Sequence, residues 1–411
     1  MKKVALLLAA AMLALTGCAS TGDTAAASEA APAESTAESA AAEDSTEAAL
    51  PGEPHPLSAY SACAVSGSSV YTAVSHFSSS EDSLGSFDHS TVYKTDLTTG
   101  QTYEMYRTGS QLASAPLVID DTLYFICYDG GMLALPTAGG EARVLPFSYD
   151  DWEPVFYAGH YLYCRSLSAA PFYRTGGMRF DLQTGETAPW NIPVETKYIP
   201  DVVGDALLLC RVVSDYPVPY PDDDEMSQAL LQNTTLEYTL ADPATGAVRQ
   251  TCFTLPYDIP QPGSLAVYTY LGKCGSDFYF RADQCDDEYN QVSQSVLRIG
   301  TDGTRTDLGI TKTPDYLDYC AVLQGDEVRW LLTRGPDGIY LIYDTQGNEI
   351  GRNKRPAGLD AFFPLCMLDD GRLLMVVGYD WEHDSAARYA VMDADEFLNG
   401  GSAYREMTFA E

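Results

Sequence analysis

The chain has 411 residues, 45% of them hydrophobic and 11% aromatic, and carries a formal net charge of −34. That is enough apolar side chain for a substantial core. The charge excludes a nucleic-acid binder working through phosphate contacts, and equally a protein held to an anionic membrane by a basic patch, because both need positive surface.

Residues 1–17 have the form of an export signal. Lys2 and Lys3 start it, Val4 to Leu15 is an apolar run too short to stay as a membrane span, and Leu15-Thr16-Gly17-Cys18 ends it. The last four residues resemble the lipobox of bacterial lipoproteins, whose cysteine thiol is linked to diacylglycerol and becomes the first residue after cleavage. The resemblance implies a lipid on Cys18 and a place on the extracytoplasmic face of the cell membrane. Residues 18–56 are then a tether of Ala, Ser, Thr, Glu and Pro with no aromatic residue and no Lys or Arg. Such a segment cannot bury enough apolar surface to offset its ordering entropy, so disorder is expected.

From residue 57 to 411 short β-forming runs recur. The clearest unit follows Asp120-Asp121: a strand, the turn Gly130-Gly131, a second strand and the turn Gly139-Gly140. Equivalent second strands are read at Ser69–Val74, Thr122–Cys127, Tyr161–Arg165, Ala206–Arg211, Asp277–Arg281, Glu327–Leu332 and Arg372–Val377. Most follow a tight polar turn such as Gly159-His160 or Gly325-Asp326, the signal of a hairpin. A third strand ending in a Gly turn follows in most units, as at Val92–Gly100, Met178–Gly185 and Tyr238–Gly246. Units of about 50 residues with four strands each suit propeller blades. The fold class is therefore all-β, a single β-propeller of seven four-stranded blades, with six or eight blades or a pair of β-sandwiches as alternatives.

The lipobox, the tether and the Asp-Leu-x-Thr-Gly turns at Asp96–Gly100 and Asp181–Gly185 resemble the β-propeller lipoproteins of Gram-positive gut anaerobes, a group mostly of unknown function. The Trp-Asp ending of WD repeats and a repeated quinone-docking Trp are absent.

In a propeller the loops from strand 2 to 3, and from strand 4 to the next blade, share one face. The insertions His76–Ser90, Ser148–Pro154, Leu167–Gly177, Ser214–Thr235, Ala282–Ser295 and Tyr379–Ala387 all fall there, which marks the expected binding face. The candidate ligand residues are Tyr149, Asp150, Asp151 and Trp152, with Tyr173 and Arg174, and the similar run Asp380, Trp381, Glu382 and His383. Exposed aromatics beside carboxylates suit a cationic peptide or a sugar ring, and the bland alternative is that Trp152 and Trp381 pack on neighbouring loops. Asp222, Asp223 and Asp224, or Asp286 and Asp287, offer hard oxygens of the kind calcium takes, although neither run matches an EF-hand loop and a solvated acidic loop is the simpler reading.

Besides Cys18 there are nine cysteines, an odd number that one chain cannot pair completely. Cys127, Cys164 and Cys210, and again Cys63, Cys320 and Cys366, sit at equivalent strand positions, as buried core side chains would. Cys274 with Cys285 is the pair to suspect of a disulfide. No metalloprotease, serine-hydrolase or phosphate-loop motif appears, so neither a catalytic residue nor a cofactor is assigned. The expectation is a monomeric extracytoplasmic lipoprotein whose propeller face binds a protein or peptide without catalysis. A glycan-capture module is the alternative, and a propeller glycoside hydrolase or lyase a third reading.

Overall fold

The computed structural model describes residues 50–57, 63–77, 86–112, 116–166, 176–193, 196–214, 234–256, 265–285, 291–309, 317–335, 338–380 and 386–409. Antiparallel four-strand blades follow one another along the chain. Blade 1 is Cys63–Ser66, Ser69–Phe77, Phe87–Asp96 and Gln101–Thr108; blade 2 is Leu117–Ile119, Thr122–Ile126, Met132–Pro136 and Arg143–Leu145. Blade 3 is Trp152–Ala158, Tyr161–Ser166, Gly177–Asp181 and Thr187–Trp190; blade 4 is Thr196–Val203, Ala206–Ser214, Thr234–Ala241 and Val248–Pro256. Blade 5 is Leu265–Cys274, Asp277–Cys285, Gln291–Gly300 and Arg305–Asp307; blade 6 is Leu317–Gln324, Glu327–Arg334, Ile339–Tyr343 and Glu349–Lys354. Blade 7 is Phe363–Met367, Arg372–Asp380, Ala386–Asp393 and Tyr404–Glu406. All seven second strands expected from the sequence are second strands here. Parallel bridges near the axis, Lys273 to Glu327 and Leu323 to Cys366, join blades 5, 6 and 7 into one hydrogen-bonded sheet.

Side chains alternate across a strand, so each blade presents two faces. Both are apolar, which is why the second strands read as nearly unbroken hydrophobic runs. In blade 2, Leu123 and Phe125 face blade 1, while Tyr124 and Ile126 face blade 3. Seven apolar clusters result, one in each seam between neighbouring blades. The seventh joins Cys63, Val70 and Leu97 of blade 1 to Cys366, Leu374 and Val391 of blade 7, and so closes a ring.

The Asp-x-x-Thr-Gly turns between strands 3 and 4 carry their own logic. Asp96 Oδ1 accepts from the Thr98 and Thr99 amides, Asp181 Oδ1 from Gln183 and Thr184, and Asp242 Oδ1 from Ala244 and Thr245. The glycine that follows takes a left-handed conformation, with φ 71° at Gly246, where an added Cβ would meet the Asn191 carbonyl oxygen at 2.6 Å. An outer-strand side chain of the preceding blade often seals the turn. Arg143 Nη1 donates to the Gln183 carbonyl at 3.1 Å, and Arg405 Nη1 to the Thr98 carbonyl at 2.8 Å across the closing seam. Blade 7 replaces the turn with a five-residue helix, Ala394–Leu398, capped by Asp393 and anchored by buried Phe397.

Among the described residues, two short strands lie outside the repeats. Thr408–Phe409 pairs in parallel with Gln101 and Thr102 on the outer edge of blade 1. Pro54–Pro56, which the sequence places in the tether, pairs with Phe156–Ala158, the innermost strand of blade 3. The reason is local: Pro54 is buried, Leu50 packs on the core between blades 3 and 4, and Gly52 passes close to the Gly159 backbone. Order therefore begins before residue 57.

Cys63, Cys127, Cys164, Cys210 and Cys366 are buried as expected, and Cys252 is buried too, whereas Cys320, after a register shift in its hairpin, is exposed. Cys274 and Cys285 cannot pair: the register sets them at opposite ends of one hairpin, Cys274 against Asp277 and Cys285 against Leu265.

The turn carboxylates make the ring acid-sensitive. At Asp96 the Thr98 amide holds the carboxyl below its ordinary range. At Asp181 and Asp242 partial burial pulls upward, but the turn donors, with Arg249 at Asp242, outweigh it. Groups with lowered folded values contribute stability above the unfolded carboxylate range of about pH 4, and that stability is lost as pH falls through the folded values. The thermal midpoint should therefore fall once the pH drops below about 4. Asp181→Ala should lower the midpoint at neutral pH and flatten the acid slope in calorimetry. An acid slope identical in the variant would refute the assignment.

Candidate functional site

The face carrying the 2–3 and 4–1 connections is aromatic over blades 1 to 3. Tyr128 lies in the short turn after Ile126 and is 59% exposed. It meets Tyr149 edge to face with ring centroids 6.2 Å apart. Tyr149 belongs to the blade 2 to blade 3 connection, which folds as a tight turn: Ser148 Oγ donates to Asp151 Oδ2 at 2.6 Å, and the Trp152 amide donates to the Ser148 carbonyl at 3.2 Å. Asp150 and Asp151 project into solvent. Trp152 is half-buried against the core between blades 2 and 3, so part of its ring fixes the loop and part stays open. On blade 1, Phe77 and Phe87 form an edge-to-face pair at 5.9 Å, beside the stacked His76 and His89 rings at 4.4 Å.

Of the residues singled out from sequence, Tyr149, Asp150, Asp151 and Trp152 are thus brought together. Tyr173, Arg174, Trp381, Glu382 and His383 lie outside the described residues, as do Asp222, Asp223, Asp224, Asp286, Asp287 and Cys18; Asp380 ends a blade 7 strand. Among the described residues no cluster of three or more His, Cys, Asp or Glu forms a metal-binding group, and no helix is long and apolar enough to cross a membrane.

Two features were missed. The first is an arginine repeated near this face on the second strands of blades 3, 4 and 5. Arg165 pairs with Glu153 and reaches the Lys197 carbonyl of blade 4, Arg211 pairs with Glu237 at 3.0 Å, and Arg281 pairs with Asp283 at 2.9 Å. Their common register, at the ends of aligned second strands, was the available signal.

The second feature lies at the opposite mouth. Here the innermost strands of all seven blades enclose a cavity of about 470 Å³ that Asp201, Tyr270 and Asp326 help to line. Lys273 Nζ donates to Asp201 Oδ1 at 3.0 Å and to Asp326, and Tyr270 donates its hydroxyl to Asp201 Oδ2 at 2.6 Å. Lys273 and Asp201 have side chains only 7% and 8% exposed. Burial pushes the Asp201 carboxyl up, and Lys273 and Tyr270 offset only part of this. Burial pulls Lys273 down, but the two carboxylates outweigh it and hold the ammonium above its ordinary range. No sequence pattern announces this network, because its members come from strands far apart in the chain.

No protein-family model matches the chain, and no curated protein matches it. Among solved structures it is similar to an oligogalacturonate lyase from Vibrio parahaemolyticus, with 11% identity and a TM-score of 0.46 over 86% of this chain and 94% of that one. It is also similar to the Dos1 propeller, with 11% identity and a TM-score of 0.39 over 88% of each chain. BamB from Moraxella catarrhalis has 10% identity and a TM-score of 0.38, over 80% of this chain and 95% of that one. Likenesses this distant carry no argument about function, and the fold rests on the seven seams described above.

Removing one member of the buried pair leaves the other charge uncompensated. Lys273→Met should cost about 3–5 kcal/mol in denaturant unfolding, and adding Asp201→Asn should recover part of that loss. Strictly additive costs in the double variant would show that the two groups do not act as a pair.

Proposed function

We propose that this protein is an extracytoplasmic lipoprotein, anchored by a lipid on Cys18, whose propeller captures a protein or peptide partner and does no chemistry on it. The observation that carries the reading is the aromatic sector of exposed Tyr128 with half-buried Tyr149 and Trp152, set beside the exposed carboxylates of Asp150 and Asp151. Large rigid aromatic rings with a polar rim are what an anchoring patch requires, and carboxylates at the rim favour a partner with basic residues. The lipobox supports the placement at the membrane, and the tether gives the domain reach. The short turns of the opposite face and the unmatched catalytic motifs favour binding over turnover.

The experiment is a cross-linking pull-down from the native cell surface, with the full chain and Cys18 intact. A single stoichiometric protein partner is expected, and Tyr128→Ala should reduce its capture about tenfold, a loss of about 1.4 kcal/mol. Trp152→Ala should reduce it further. Because Tyr128 is the more exposed of the two, its variant separates binding from folding. Undiminished capture by both variants would remove this sector from the account. Retention of cell-wall or dietary glycan with no protein would move the function to glycan capture.

A further inference from the structure

The aromatic face leaves the cavity at the other mouth without a role. Much of its lining is apolar and comes from blades all round the ring, including Leu57, Val65, Ile119, Leu271, Leu323 and Leu368. Its carboxylates are Asp201, Asp326 and Asp369, each from a different blade. Asp326 and Asp369 sit on strand 1 to 2 turns at the rim, where both are exposed, and the Asp326 side chain keeps 49% of its surface open while it accepts from Lys273. These three carboxylates and the one Lys273 ammonium leave an uncompensated negative charge facing the opening. Burying Asp201 with Lys273 costs desolvation that an apolar pair of similar size would avoid. The volume of about 470 Å³ lies within the roughly 300–1,000 Å³ range of small-molecule sites. Part of the apolar lining is Leu57, the residue that follows the strand Pro54–Pro56, so the N-terminal segment helps to form the pocket.

We propose that this mouth binds a small organic cation with an apolar body, such as a primary amine on a short hydrocarbon chain. Its ammonium group lies between the Asp326 and Asp369 carboxylates, and its hydrocarbon lies on the apolar lining at Leu57, Val65 and Ile119. An anion is disfavoured by the net charge of the rim, and an uncharged ligand leaves the carboxylates unused. The site is separate from the aromatic sector and does not depend on the partner proposed above.

The test is calorimetric titration of the full chain with hexylamine hydrochloride, with hexanol and ammonium chloride as probes that each carry half of the recognition. Saturable one-to-one binding of hexylamine is expected, with hexanol and ammonium each at least about tenfold weaker. The double variant Asp326→Asn/Asp369→Asn removes both rim carboxylates, one of them a partner of Lys273, and should weaken hexylamine about tenfold or more, while Asp369→Asn alone leaves the Lys273 network intact and should also weaken it. Absence of saturable hexylamine binding, hexanol binding as tight as the amine, or an unchanged affinity in the double variant would each overturn the proposal.

Discussion

A blade with two apolar faces cannot stand alone, and everything else in the molecule depends on closing the ring. Six seams form between blades that are neighbours in sequence. The seventh must bring together residues more than three hundred positions apart, such as Val70 and Leu374. If it opened, both end blades would expose a hydrophobic face to water. The chain holds this seam in three ways: the apolar cluster itself, the Arg405 guanidinium on the Leu97 and Thr98 carbonyls, and the C-terminal strand on blade 1, where the Thr408 amide donates to the Gly100 carbonyl at 3.0 Å. The Arg405 contact matches the one Arg143 makes between blades 2 and 3, so closure reuses a device of the ordinary seams.

Antiparallel strand order then divides the labour between the two faces. Connections 1–2 and 3–4 are short because Gly and Asp turns make them so, and they gather around one mouth. Connections 2–3 and 4–1 take the insertions and the exposed aromatics. The N-terminal segment enters along the short-turn side near Gly159 and runs inward beside Trp152–Ala158, so that it becomes part of the wall it passes.

Much of this was legible in the sequence. Second strands such as Thr122–Ile126 announce themselves because a blade buried on both faces needs an unbroken apolar run, and Asp96 and Gly100 fix a turn whose chemistry is local. Tyr149 to Trp152 could be assigned to the face of the 2–3 and 4–1 connections because strand parity alone decides which connections share it. What could not be read depends on contacts between distant strands. Lys273, Asp201 and Asp326 come from blades 5, 4 and 6 and share no motif. Pro54–Pro56 has a composition suited to a tether, and only the neighbouring edge of blade 3 makes it a strand. The exposure of Cys320 follows from a register shift that repeat phasing cannot anticipate.

The central claim is that the molecule binds its partner on the insertion face, over blades 1 to 3. Deuterium uptake of the full chain, free and in complex with the partner captured from the cell surface, tests this most directly. The account predicts slowed exchange around Tyr128 and along Ser148 to Trp152, with the rim turns Gly67-Ser68 and Gly325-Asp326 unchanged. Protection confined to those rim turns, or to the outer strands, would contradict it.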